Sequence, residues 1–135
     1  TEQEIELDTS IRKWERTPEN DPYKSGLESL ASHMEPMLDG HILKTAYNEF
    51  CYPAIEDAVG ELANENVTEI IIVTTMITRG GSHSEIEIPE ELKALRQKYS
   101  NIDIQYAWPF DIDAFALFLT THIKNASPLS AVKSN

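Results

Sequence analysis

Four consecutive β-branched residues, Ile70-Ile71-Ile72-Val73, follow Glu69 with no further charge among them. Such a run reads as a strand of a parallel sheet, buried on both faces. Directly after it comes Thr74-Thr75-Met76-Ile77-Thr78-Arg79-Gly80-Gly81-Ser82-His83-Ser84-Glu85-Ile86-Glu87-Ile88-Pro89. This loop therefore hangs from the carboxyl end of a strand, where open α/β sheets build their sites. Two glycines let the backbone turn sharply or approach a ligand closely, and Pro89 suits the opening of a helix. Between them a single imidazole stands beside the carboxylates Glu85 and Glu87. That combination can hold a divalent metal or move protons near neutral pH.

The rest of the chain supplies helices and strands around this loop. An opening helical piece spans about Glu4 to Glu15, and Thr17-Pro18-Glu19-Asn20-Asp21-Pro22 turns the chain. Leu27, Leu30, Ala31, Met34 and Leu38 recur at three and four, predicting an amphipathic helix from Tyr23 to Leu38 that Asp39-Gly40 stops. Ile42 to Ala46 reads as a strand. Pro53 is placed in the first turn of the next helix, whose apolar face is Ile55, Ala58, Val59, Leu62 and Ala63.

After the loop, a helix from Pro89 to Tyr99 carries Glu90 and Glu91 early and Lys93, Arg96 and Lys98 late, as the helix dipole favours. Ile102 to Trp108 is the next strand. Asp111 or Asp113 then caps a helix through Ala116, Leu117, Leu119 and Ile123. Strands separated by helices demand right-handed parallel crossovers, so the expected fold is α/β, a three-layer α/β/α sandwich with a parallel sheet. Three strands make that sheet thin, since about five or six is usual.

A chain of 135 residues with 41% hydrophobic content is expected to be one domain, with residues 1–21 an N-terminal segment and 126–135 a frayed tail. A net charge of -12 argues against nucleic acid and anionic membranes, which call for basic patches. With no long apolar run and no signal pattern, the expected setting is cytoplasmic. Cys51 is the sole cysteine. It excludes an internal disulfide or a thiolate zinc cluster and reads as a small buried hydrophobe.

Gly81-Ser82-His83-Ser84-Glu85-Ile86-Glu87-Ile88-Pro89, taken with Ala46-Tyr47-Asn48-Glu49, Pro53-Ala54-Ile55-Glu56-Asp57-Ala58 and Ala107-Trp108-Pro109-Phe110, resembles the small class II tetrapyrrole chelatases. These are the sirohydrochlorin cobalt- and iron-chelatases, and the similarity runs from about His41 to Ile123. The resemblance implies a chelatase-like sandwich that inserts a divalent metal (cobalt, iron or nickel) into sirohydrochlorin or a related tetrapyrrole. It does so without ATP or an organic cofactor, in cobalamin- or siroheme-type biosynthesis, and half-size members pair into homodimers.

In this family the histidine after the glycines binds metal and is catalytic, a position held here by His83. The family's acidic residue after the strand that enters the site matches Glu49, and Glu87 stands where Asp is usual. The family opens with a strand ending in His-Gly-Ser or His-Gly-Thr, which residues 1–40 lack. The segment Arg16-Thr17-Pro18-Glu19-Asn20-Asp21-Pro22-Tyr23 resembles a subgroup in which that strand is expected upstream of Thr1.

Metal insertion needs a ligand for the ion, a base for two pyrrole protons, and a cleft for the macrocycle. His83 is the expected metal ligand and Glu49 and Glu87 its acidic partners, with Glu49 also a metal-ligand candidate. Arg79 is the expected contact for a substrate carboxylate, and Ser82, Thr75 and Thr78 are possible hydrogen-bond donors. Each also has a plainer reading: a surface histidine, helix-capping or solvent-facing carboxylates, a surface arginine. Tyr47, Phe50, Tyr52, Trp108 and Phe110 cluster at two strand ends and either line a flat cleft or fill the core. The rival function is a non-catalytic metal or tetrapyrrole binding protein of the same fold, or an interaction module with neither affinity.

Overall fold

Residues 1–48 and 51–126 are described by a computed structural model. Their order is α1 (Glu2–Arg12), α2 (Pro22–Met34), α3 (Ile55–Asn64), β1 (Glu69–Ile72), α4 (Ile88–Lys98), β2 (Asp103–Tyr106) and α5 (Ile112–Ala126). They fall in two units, divided between Thr68 and Glu69. The expectation for Glu49 and Phe50, and for the tail beyond Ala126, lies outside the described residues.

In the first unit, local polar signals set the helix starts. Thr1 caps α1 by accepting from the Glu4 amide at 3.2 Å. Asp21 caps α2 by accepting from the Lys24 amide at 3.0 Å. Thr17 and Asn20 close the turn between them with two reciprocal side-chain bonds, the Thr17 amide to Asn20 Oδ1 at 2.7 Å and the Asn20 amide to Thr17 Oγ1 at 3.2 Å. The expected helix to Leu38 ends earlier, at Met34, and continues as a 3₁₀ turn over Glu35–Met37.

Ile55, Ala58 and Val59 of α3 are buried together with Tyr47 and Cys51, so the cysteine is the small buried residue expected. Ile42 to Ala46, by contrast, forms no strand. A strand needs a ladder partner for its backbone groups, and among the described residues the pairing next to this segment is one parallel bridge from Tyr47 to Ala54, with the Tyr47 amide donating to the Pro53 carbonyl at 2.9 Å. That bridge also keeps Pro53 out of the helix, which begins at Ile55.

The second unit has the parallel α/β arrangement. β1 and β2 pair with Glu69 opposite Asp103, Ile70 opposite Ile104, Ile71 opposite Gln105 and Ile72 opposite Tyr106. The Ala107 amide extends the ladder by donating to the Ile72 carbonyl at 2.8 Å. Ile70 and Ile104 are buried, and α4, which packs on β2, buries Ile88, Leu92 and Leu95. Full burial of such a side chain contributes roughly 1.5–3 kcal/mol, and this strip is the core under the loop. Arg96 adds a polar tie, its Nε donating to the Ile104 carbonyl at 2.9 Å.

Burial of β1 on both faces is not what is observed. Ile71 and Val73 are each 50% exposed. Alternation explains it: Ile71 shares its face with Glu69, Asp103 and Gln105, and the Gln105 amide donates to Asp103 at 2.8 Å there. Asp111, not Asp113, caps α5, accepting from the Asp113 and Ala114 amides at 3.1 and 3.3 Å. That helix buries none of its residues, although Ile112, Leu117, Phe118, Leu119 and Ile123 lie along it. Among the described residues no helix is long and apolar enough to cross a membrane.

Candidate functional site

The loop after β1 closes on itself before α4 begins. Gly80 adopts φ +96°, a left-handed conformation that only glycine takes without strain. Its amide donates to Glu85 Oε2 at 3.0 Å, while Arg79 Nε donates to Glu85 Oε1 at 2.6 Å. One carboxylate thus ties the far side of the glycine turn back to its start. A Cβ on Gly81 would lie 3.4 Å from the Oγ of buried Ser84, an ordinary contact, so the turn itself requires glycine only at position 80.

His83–Glu87 is one turn of π-helix running straight into α4. Two observations account for the wide turn. The Ser84 carbonyl, which in an α-helix would accept from the Ile88 amide, accepts instead from the Tyr106 hydroxyl at 2.8 Å, and the Ile88 amide turns to the His83 carbonyl. Pro89, having no N–H, leaves the Glu85 carbonyl outside the α pattern as well.

The π turn brings His83 Nδ1 onto the Glu87 carboxylate, four residues on. A carboxylate only accepts, so a neutral ring in this pair carries its proton on Nδ1 and Nε2 is the lone-pair nitrogen. The pair is half-exposed, His83 at 39% and Glu87 at 57% of side-chain surface. Arg79 is more exposed, and its pairing with Glu85 was not foreseen. Ser82 is exposed at the start of the turn and makes no capping bond. Among the described residues no group of three or more His, Cys, Asp and Glu gathers as a metal cluster.

Electrostatics follow from these contacts. The Arg79 guanidinium and the Gly80 amide hold the Glu85 carboxyl below the usual carboxylate range, against partial burial. Burial pushes the Tyr106 phenol up, and the Glu85 charge adds to it. Tyr106 opens an aromatic row: its ring stacks on Trp108 at 6.0 Å, and Trp108 meets Phe110 edge-on at 6.0 Å. Trp108 and Phe110 are half-buried, Tyr52 is exposed, and Tyr47 belongs to the core. Reading the residues in order missed Ser84 and Tyr106. The signal for Tyr106 was its place two residues before Trp108, on the same side of β2.

The fold and site together define an α/β protein that presents an imidazole–carboxylate pair and a guanidinium at the carboxyl end of a parallel ladder. The chain belongs to the CbiX family, whose model matches residues 19–122. It is 28% identical over 76 residues to a sirohydrochlorin ferrochelatase of Priestia megaterium, covering 56% of this chain and 28% of that protein. Against a sirohydrochlorin cobaltochelatase of Methanopyrus kandleri it is 29% identical over 72 residues, 53% of this chain and 50% of that protein. The matches thus span half or less of the length of these relatives. No solved structure matches the chain.

Proposed function

We propose that this chain inserts a divalent metal, cobalt or iron, into sirohydrochlorin or a closely related tetrapyrrole in the cytoplasm, acting as a homodimer and without ATP or an organic cofactor. The observation that carries the reading is the His83–Glu87 pair at the carboxyl end of β1, on the segment that the family match covers. Its partner carboxylate makes Nε2 the nitrogen that meets the incoming ion, a ligand suited to first-row divalent metals. The metal and the macrocycle are both substrates. Two pyrrole protons must leave as the metal enters, and Glu87 and Glu49 are the groups assigned to take them. Arg79 meets a peripheral carboxylate of the macrocycle, and Ser82 adds a hydrogen bond from the exposed start of the turn.

Anaerobic incubation of the chain with sirohydrochlorin and cobalt or ferrous iron, followed by absorbance, tests this directly. Metallation faster than the protein-free control is expected, and His83→Ala should slow it by at least about a hundredfold. Binding of sirohydrochlorin with no acceleration would make the protein a carrier, and neither binding nor turnover would refute both. Sedimentation checks the dimer.

A further inference from the structure

We infer that Glu85 is a positioning residue for the tetrapyrrole's carboxylates: it grips Arg79 by Nε and so presents the two Nη groups of the guanidinium to substrate. The inference rests on the chelatase reading and adds to it a residue that reading does not use. Glu85 Oε1 accepts from Arg79 Nε at 2.6 Å and Oε2 accepts from the Gly80 amide at 3.0 Å, so both oxygens are committed within the loop. The Glu85 side chain is only 26% exposed, whereas Arg79 is 68% exposed. The carboxylate is therefore fixed and the guanidinium projects outward.

Geometry decides what such an arginine can do. Guanidinium binds a carboxylate bidentately through a pair of N–H groups, and the contact to Glu85 is made by Nε. That contact does not use the two Nη groups, and the side chain that carries them is 68% exposed. An unanchored arginine would lose rotamer freedom on meeting substrate, a cost of about 0.5–1.5 kcal/mol per immobilised side chain in general. It would also have other partners in a chain of net charge -12. Glu85 removes both problems by holding Arg79 in place beforehand. Its own negative charge works the other way, repelling a substrate carboxylate. That repulsion is blunted because the charge is already neutralised by Arg79 and accepts from a backbone amide.

Glu85→Gln, Glu85→Asp, Arg79→Ala and the double variant Glu85→Gln/Arg79→Ala separate the possibilities in the metallation assay with saturating metal. Arg79→Ala and Glu85→Gln are each expected to raise KM for sirohydrochlorin by about tenfold, with kcat within about twofold of the parent. The double variant should be no worse than Arg79→Ala alone, because both act through one contact. Glu85→Asp, which keeps the charge, should recover part of the loss. An unchanged or lowered KM in Glu85→Gln, or additive losses in the double variant, overturns the inference while the chelatase reading stands. A parent protein that neither binds nor metallates sirohydrochlorin overturns the chelatase reading and this inference with it. Circular dichroism melts of each variant report whether the fold is kept, and Glu85→Asp carries the test if Glu85→Gln does not fold.

Discussion

Replacing Glu87 isolates what the carboxylate does for the imidazole. In Glu87→Ala the Nδ1 proton loses its acceptor, and the ring is free to take either tautomer and either rotamer. Loss of an outer partner of a metal-binding histidine typically costs about 10–100-fold in metal affinity. His83 is 39% and Glu87 57% exposed, so water replaces part of what is lost, and the lower end of that range applies. The expected outcome is about a tenfold weaker affinity for Co²⁺, near 1.4 kcal/mol. Glu87→Gln, which keeps an accepting oxygen but not the charge, should fall between. Competition with a chromophoric chelator, without tetrapyrrole, reads this directly. The reasoning fails if Glu87→Ala binds cobalt as tightly as the parent while His83→Ala does not, for then the pair seen here is not what orients the ligand.

Two further outcomes follow from the same unit. Leu92→Ala, at a side chain with no exposed surface in α4, should destabilise the protein by about 2–5 kcal/mol in urea melts with an unchanged slope. Glu85 has its folded pKa depressed by Arg79, so its contribution to loop closure is present above the unfolded value and disappears only as pH falls through the lower folded value. The Gly80 amide resonance should accordingly titrate below the ordinary carboxylate range, and in Arg79→Ala that midpoint should move up.

Legibility in the sequence divided along the line between short-range and long-range causes. Asp111 is legible as one of two cap candidates for the last helix, because a cap is satisfied within three residues, whereas Asp21 reads as part of the turn before α2 and not as its cap. The uncharged Ile70–Val73 run announced β1 and the parallel class. The Ile42–Ala46 segment looked equally strand-like, but pairing depends on what lies alongside, and a sequence does not state that. The loop after β1 was legible as a candidate site through its glycines, His83 and the carboxylates. Which carboxylate served which partner was not: Glu85 goes back to Arg79 and Glu87 pairs with His83, through a turn wider than an α-turn that a sequence does not announce.

That width has a cause that can be removed. In an α-helical start the Ser84 carbonyl would accept from the Ile88 amide, but the Tyr106 hydroxyl, reaching across from β2, occupies it at 2.8 Å. Tyr106→Phe deletes this donor while leaving the ring stacked on Trp108. The direct loss is one ordinary hydrogen bond, about 0.5–1.5 kcal/mol, and the released carbonyl can recover much of it by pairing with Ile88. Stability should therefore change little. The turn, however, should tighten toward α geometry, rotating His83 relative to α4 while Glu87, four residues on, stays within reach of it. Cobalt affinity should therefore drop by less than in Glu87→Ala, and the Ile88 amide should shift in the nitrogen–proton spectrum. If affinity and the Ile88 resonance both stay where they are, Pro89 alone suffices to hold the π turn, and Tyr106 has no part in aiming the imidazole.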